Sequence, residues 1–164
     1  ISTISTILTA QGLGGSALED ITGQSLGELP RIESAGLDNA RAGHRLVKRN
    51  LIRSCHDISE GGLSVTLAEM MLDASCGLSV DLDAVPIATR MSDAEVLFSE
   101  GLSRYVIAVG EGDYEEVAHL LDGMVFARVG RVIQSQELLI HGQHDYVWTQ
   151  SQLSAAHHGN PRFV

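Results

Sequence analysis

The stretch SCHDISEGGLSV, residues 54–65, places a carboxylate, a hydroxyl and a glycine pair where a strand gives way to a helix. The first N–H groups of a helix are unpaired and its dipole attracts anions, so Gly61 and Gly62 would let phosphate oxygens approach closely. Asp57 offers the hard oxygen ligand that suits Mg²⁺, and Ser59 could bond to the same phosphate. One interpretation is therefore a metal and phosphate contact.

A structural interpretation competes with the first. Asp57 and Ser59 could cap the following helix while the glycines only make the turn. On spacing alone this interpretation is favoured, because the motif D-x-S-x-G-G is short. His56 could act as a general base, but the sequence identifies no partner for it, so we predict a structural histidine.

The elements that position this stretch follow from the spacing of apolar residues. IRSCHDIS, residues 52–59, is predicted to be a strand. GLSVTLAEMMLDASC, residues 62–76, is predicted to be a helix whose methionines lie in the core. A short helix is predicted over residues 14–22, where Ser16 and Glu19 have the spacing of a capping box.

A further helix is predicted from residue 37, where apolar residues recur every three or four positions. It should pack inward along the stripe of Leu37, Ala40, His44, Val47 and Leu51, with His44 semi-buried and structural. Its other side carries the one basic concentration of the chain, Arg41, Arg45, Lys48 and Arg49. We interpret these cations as a solvated face or an interface with an acidic neighbour, with phosphate binding as the alternative.

Downstream, strands and helices alternate. Strands are predicted at 78–83, 103–110 and 124–133, with a terminal hairpin at 137–148. Helices are predicted at 91–100, 113–123 and 149–159. The count indicates an α+β fold, a mixed β-sheet flanked by helices and partly ferredoxin-like.

Composition excludes several classes of function. With 11 Lys+Arg against 21 Asp+Glu, the net charge of −10 argues against nucleic acid as a partner. No apolar run reaches the roughly 20 residues of a membrane span, which predicts a cytoplasmic protein. The length of 164 residues predicts one domain, and we expect the chain to begin inside a larger protein. Cys55 and Cys76 are predicted to be reduced and buried, and the scattered histidines predict no metal site.

A family resemblance rests on the stretch SCHDISEGGLSVTLAEM, residues 54–70. It resembles the strand-turn-helix segment of phosphoribosylformylglycinamidine synthase, with both its HD and its GGL elements and the LAEM continuation. LGGSAL at 13–18, CGLSVDL at 76–82, LFSE at 97–100 and YVIAV at 105–109 follow in the order of that family.

The resemblance implies a fold and a position in a larger enzyme. It identifies residues 1–164 as the second domain of the type found at the C-terminus of AIR synthetase, in a fragment of the long single-chain form. The core would cover about 12–133, and a hairpin and helix at 134–164 would lead to a following domain. The expected partners are an upstream ATP-binding-type domain, a glutaminase domain and a small-molecule nucleotide.

The resemblance also implies a chemistry. The family is an ATP-dependent carbon–nitrogen ligase that converts formylglycinamide ribonucleotide to formylglycinamidine ribonucleotide in purine synthesis, with glutamine as amido donor. By position, Asp57 would bind Mg²⁺, and Ser59, Gly61 and Gly62 would contact ATP or ADP at an auxiliary, structural site. The chain would hold no catalytic residue and be inactive alone. The alternatives are another ATP enzyme of the AIR synthetase superfamily, such as AIR synthetase or selenophosphate synthetase, or a non-catalytic scaffold of the same fold.

Overall fold

In the computed structural model, which describes residues 2–7, 12–32, 34–72 and 74–159, seven strands form one sheet. The strands are Ser2–Ile7 (β1), Ile52–Ile58 (β2), Gly77–Asp81 (β3), Arg104–Gly110 (β4), Phe126–Ile133 (β5), Glu137–His141 (β6) and Asp145–Thr149 (β7). Residues 1 and 160–164 of the predicted 1–164 domain lie outside the described residues, as does residue 73 of the predicted helix at 62–76.

Six α-helices connect these strands within the described ranges. They are Ala17–Thr22 (α1), Gly36–Lys48 (α2), Gly62–Glu69 (α3), Asp93–Phe98 (α4), Tyr114–Leu120 (α5) and Gln150–Gly159 (α6). The Ser16 side chain caps α1 as its spacing predicts, accepting from the Glu19 N–H at 3.4 Å. Among the residues that the structure describes, no helix is long and apolar enough to cross a membrane.

The strand order is β2-β4-β1-β5-β3-β6-β7, with β2 and β7 at the edges. β3 and β6 run parallel, and every other neighbouring pair is antiparallel. The sheet is therefore mixed, and the predicted α+β class, a mixed sheet flanked by helices, is confirmed. The predicted terminal hairpin is the β6–β7 pair.

Two hydrophobic clusters lie on opposite faces of the sheet. Successive side chains of a strand point to opposite faces, and β4 contributes Val106 and Ala108 to one cluster and Ile107 and Val109 to the other. Helices α3 and α4 cover the first cluster, while α2 and α5 cover the second. Met71 is buried in the first cluster, as predicted.

The inward face predicted for α2 is wrong. The residues that α2 buries are Asn39, Ala42 and Leu46. The predicted stripe is exposed at Leu37, Ala40, His44 and Val47, and only Leu51, beyond the helix, is buried. The inward face contains a polar residue because the Asn39 amide donates to the Ser103 carbonyl at 3.1 Å, a partner that apolar spacing cannot reveal.

Two smaller expectations also fail. Cys55 is exposed and Cys76 is half-buried, both as free thiols, because Cys55 lies on the edge strand β2, where most residues stay accessible. The helix α3 ends at Glu69, well short of residue 76. Beyond Glu69 the chain continues in turns, such as the Ala74 N–H bond to the Met71 carbonyl at 3.1 Å, and the amide of Gln150 donates to the carbonyls of Met71, Leu72 and Ala74.

Candidate functional site

The predicted strand-turn-helix junction is present. β2 ends at Ile58, residues 59–61 make the turn, and α3 begins at Gly62. Inside the turn, the Gly62 N–H donates to the Ser59 carbonyl at 3.0 Å. The turn therefore places Asp57, on the last part of β2, and Ser59 directly before the start of α3.

Both glycines are required by the backbone. Gly61 has φ +80° and Gly62 has φ +65°, in the left-handed region that side chains disfavour. A Cβ on Gly62 would lie 2.6 Å from the Leu97 carbonyl oxygen and 2.8 Å from the carbonyl carbon of Phe98. A Cβ on Gly61 would collide with the Val65 side chain. The glycine pair thus lets α4 pack directly against the turn.

Asp57 and Ser59 do not cap α3. The N-cap of α3 is Gly61, and no side chain caps it. The Asp57 side chain is 64% exposed, and its Oδ1 lies 3.7 Å from His56 Nδ1. Ser59 is exposed as well. The capping interpretation is therefore wrong for these two side chains, and both are open to a ligand.

His56 is held between two neighbours. Its Nδ1 lies 2.7 Å from the Asp57 carbonyl oxygen and its Nε2 lies 3.3 Å from Glu69 Oε2 on α3. The ring is half-buried. These contacts join β2 to α3, which agrees with the structural role predicted for this histidine.

Glu100 is the member of this region that sequence reasoning misses. Its Oε1 accepts from the Gly61 N–H and from the Ala17 N–H, each at 2.8 Å. Since the Gly62 N–H is already bonded to Ser59, the N–H groups of both glycines are engaged within the protein. The motif LFSE contains Glu100, but nothing in its spacing points to a turn 39 residues upstream.

Arg104 lies four residues after Glu100 in the chain and is fully buried. Its Nη1 donates to the Ser99 carbonyl at 2.8 Å and to the Ser99 hydroxyl at 2.9 Å. Burial lowers the pKa of the guanidinium to about 10. Its Nε and Nη2 have no hydrogen-bond partner in the described part of the chain.

The donor set suits one part of a magnesium site. Mg²⁺ usually takes one or two protein carboxylates and fills its shell with water and phosphate oxygens. The exposed Asp57 carboxylate fits one such position. Within the described residues, however, no three His, Cys, Asp or Glu side chains are grouped to hold a metal. The described ranges thus hold no complete metal site, and the Asp57 carboxylate is one exposed oxygen donor.

Two surface cavities lie away from the turn. One, of about 490 Å³, is lined by residues of β7, α6 and the segment after α3, including Leu72 and Ser154. The other, of about 280 Å³, lies on β3, β5 and β6 and includes Arg128 and His141. Neither of these two cavities contains Asp57, Ser59 or the glycines.

A family model described as AIR synthase related protein, C-terminal domain, matches residues 3–142. The chain belongs to this family. The match covers the glycine turn and six of the seven strands, so the type of domain that the sequence resemblance implied is confirmed.

Curated relatives of this AIR synthase C-terminal-type domain are named phosphoribosylformylglycinamidine synthase subunit PurL. The protein of Thermococcus sibiricus is 35% identical over 133 residues, which cover 80% of this chain and 18% of the relative. That of Thermococcus gammatolerans is 34% identical over 159 residues, which cover 96% of this chain and 22% of the relative. The chain thus spans about a fifth of the length of these relatives.

Solved structures share the fold of this AIR synthase C-terminal-type domain. T. maritima PurL complexed with FGAR matches with a TM-score of 0.79 and 21% identity, over 93% of this chain and 28% of that chain. The hydrogenase maturation protein HypE matches with a TM-score of 0.65 and 17% identity, over 89% of this chain and 51% of that chain. These likenesses confirm the predicted fold.

Proposed function

We propose that this chain is a domain of phosphoribosylformylglycinamidine synthase, the ATP- and glutamine-dependent ligase that converts formylglycinamide ribonucleotide to formylglycinamidine ribonucleotide. The observation that carries the proposal is 34% identity to a PurL subunit along 96% of this chain. The small share of that relative covered by the chain leaves room for an upstream ATP-binding-type domain, and a glutaminase would supply the ammonia. A cytoplasmic location follows from this role.

Within that enzyme, the Asp57 turn forms one wall of a Mg-nucleotide site. Solved structures of T. maritima PurL include complexes with ATP, ADP and AMPPCP, which supports nucleotide as the ligand. Asp57 binds Mg²⁺ and Ser59 contacts a phosphate oxygen, because both side chains are exposed. Gly61 and Gly62 act through the shape of the turn, since their N–H groups are bonded to Glu100 and Ser59.

The site is auxiliary and the domain is inactive alone. One carboxylate and one hydroxyl can anchor a nucleotide, but the described residues form no group of three metal-binding side chains around them. The 164-residue chain should therefore incorporate no ammonia into formylglycinamide ribonucleotide. Turnover by the isolated chain, assayed with ATP and ammonium, would contradict this assignment.

A different ATP enzyme of the same superfamily is the second candidate. It is supported by the likeness to HypE, of which this chain matches half the length. A non-catalytic scaffold of the same fold is the third possibility. The exposed Asp57 carboxylate argues against the scaffold, because a scaffold does not require an accessible acid beside a glycine turn.

Nucleotide-dependent stabilisation tests the proposal. In the chain joined to its upstream domain, Mg-ADP should raise the melting temperature, because a ligand selective for the folded state stabilises it by about 2.7 kcal/mol at 100 times its Kd. Asp57→Ala should remove most of the shift, whereas the matched variant Asp122→Ala, an exposed aspartate far from the turn in sequence, should keep it. Equal melting curves with and without Mg-ADP, for wild type and D57A alike, would favour the scaffold.

A further inference from the structure

We propose that Glu100 is the positioning residue of the Asp57 turn, and that Arg104 fixes Glu100 in place. The inference rests on the proposed function, since it assigns a role toward the same nucleotide site. Glu100 would touch neither metal nor phosphate. By bonding to the backbone of the turn, it would determine the positions of Asp57 and Ser59.

The first step is the pair of hydrogen bonds made by one carboxylate oxygen. Oε1 of Glu100 accepts from the N–H groups of Gly61 and Ala17, each at 2.8 Å. Hydrogen bonds to an ionised carboxylate are about twice as strong as neutral ones. Since no side chain caps α3 at Gly61, Glu100 supplies from a distant segment the anchor that a local cap would otherwise give.

The second step is the anchoring of Glu100 itself. Ser99 precedes Glu100, and both its carbonyl and its hydroxyl are bonded to Nη1 of Arg104. The backbone of Arg104 is paired with Ile58, the last residue of β2, directly before Ser59. Arg104 therefore connects both ends of the arrangement, the strand that leads into the turn and the segment that carries Glu100.

The third step is the cost of burying Arg104. Its guanidinium is fully buried, has no carboxylate partner, and leaves Nε and Nη2 without hydrogen bonds in the described ranges. A buried ion in this state is less favourable than an apolar side chain of similar volume. Stability alone does not account for an arginine here, whereas a requirement to hold Ser99 by two hydrogen bonds does.

A consequence links the turn to a second segment. α1 buries none of its residues, so its hold on the domain depends strongly on the Ala17–Glu100 bond and on the buried residues just before the helix. The same carboxylate oxygen therefore couples the start of α1 to the start of α3. Loss of Glu100 should loosen both places together.

Amide hydrogen exchange in the 164-residue chain tests the contact. Glu100→Ala should speed the exchange of the Gly61 and Ala17 amides on the order of tenfold, because both lose a charge-assisted acceptor. Glu100→Gln keeps an acceptor oxygen and should restore much of the protection. Arg104→Met should speed exchange of the Gly61 amide without lowering the urea midpoint of unfolding. If Arg104 served only stability, both measurements would change together. Glu115→Ala, an exposed glutamate on α5, is the control.

Mg-ADP affinity of the chain joined to its upstream domain tests the positioning role. E100A should weaken binding on the order of tenfold, in keeping with the loss of one charge-assisted hydrogen bond, and E100Q should recover most of it. Unchanged exchange at Gly61 in E100A would overturn the proposal. Wild-type affinity in E100A would overturn the positioning role but leave the proposed function intact. Responsive amides with no Mg-ADP binding by wild type would overturn the proposed function, and with it any role of Glu100 toward nucleotide.

Discussion

Asp93 begins α4 and holds the turn between β6 and β7. Its carboxylate accepts from the N–H groups of Gln143 and His144, both at 3.0 Å, and from the Tyr146 hydroxyl at 3.3 Å. Burial by itself would raise the pKa of Asp93. The three hydrogen bonds and the nearby His144 together lower this pKa by more than burial raises it, so the net pKa lies below the ordinary range. The Asp93 carboxylate thus joins the start of α4 to the β6–β7 hairpin.

The first prediction follows from the direction of that pKa. A carboxyl whose folded pKa is lowered contributes stability above its unfolded pKa of about 3.9, and that contribution is lost as pH falls through the folded pKa. Asp93→Asn should lower the free energy of unfolding at pH 7 by about 1–3 kcal/mol. The gap between wild type and D93N in urea denaturation should narrow below pH 4, while Asp122→Asn should show no gap at either pH. A gap that widens in acid would contradict the assignment.

The second prediction concerns Gly62. Alanine there would combine left-handed strain of about 1–2 kcal/mol with a collision against backbone atoms of α4, which cannot move aside as a side chain can. Gly62→Ala should therefore lower the urea-derived free energy of unfolding by more than about 2 kcal/mol.

Gly23 provides a matched control for this substitution. It has φ +64°, nearly that of Gly62, but open space where a Cβ would stand. Gly23→Ala should cost only the conformational strain, so the difference between the two variants measures how tightly α4 packs on the turn. Equal losses of unfolding free energy in the two variants would show that the backbone of α4 shifts to make room for the methyl group introduced at position 62.

At the scale of elements, Gln150 shows how the end of one helix is controlled by the start of another. Its amide is bonded to three carbonyls after α3, at 2.6, 3.0 and 2.7 Å for Met71, Leu72 and Ala74. All three carbonyls lie beyond Glu69, where α3 ends, and the Met71 carbonyl also accepts from the Ala74 N–H at 3.1 Å. α6 therefore fixes the segment that leads from α3 into β3.

The third prediction is that Gln150→Ala loosens this segment. Unpaired carbonyls in a half-buried place should lower the free energy of unfolding by about 1–2 kcal/mol. Amide exchange should rise mainly after residue 69, where the chain loses its anchor. Gln24→Ala, at an exposed position after α1, should leave stability within about 0.5 kcal/mol of wild type. A Q150A variant as stable as Q24A would show that water replaces the amide.

The elements also show what the sequence could predict. Most strands and helices followed from apolar spacing and turn residues, because those signals are local. The inward face of α2 did not, since Asn39 is buried only because Ser103 receives its amide. β1 carries no strand signal beyond its β-branched residues, yet Thr3 and Ser5 are fully buried in the middle of the sheet.

Part of the candidate site could likewise be predicted from the sequence, and part could not. Asp57, Ser59 and the glycine pair are contiguous in sequence, so one motif identifies all of them. Glu100 and Arg104 reach the turn only through tertiary structure, and no pattern in a single sequence relates residue 100 to residue 61. The residues that we propose to contact a ligand are thus visible as a motif in the sequence, whereas the residues that hold the turn are not.

At the scale of the whole molecule, two hydrophobic clusters share one sheet. Leu67 of α3 and Leu46 of α2 are both fully buried, on opposite faces. β4 contributes alternate residues to both clusters. If β4 became disordered, the hydrophobic residues on both of its faces would lose their packing.

The fourth prediction is a single cooperative unfolding transition. Leu67→Ala and Leu46→Ala should each lower stability by about 2–5 kcal/mol. The only tryptophan, Trp148, packs against the cluster that contains Leu67. In L46A its fluorescence should nevertheless report the same urea midpoint as circular dichroism, as expected for two-state unfolding. A lowered midpoint in circular dichroism, with tryptophan fluorescence unchanged, would show that the two faces unfold independently.

The central position of β1 has a consequence for the order of folding. β1 lies between β4 and β5, and its pairs join residues more than 95 positions apart, such as Ser2 with Gly110 and Thr3 with Arg131. Contacts of such long sequence separation carry a large loop-closure entropy and slow the search for the native topology. On the ribosome, β1 would lack both of its neighbouring strands until β4 and β5 had emerged, so the middle of the sheet would form only after residues 104–133 are free to pair.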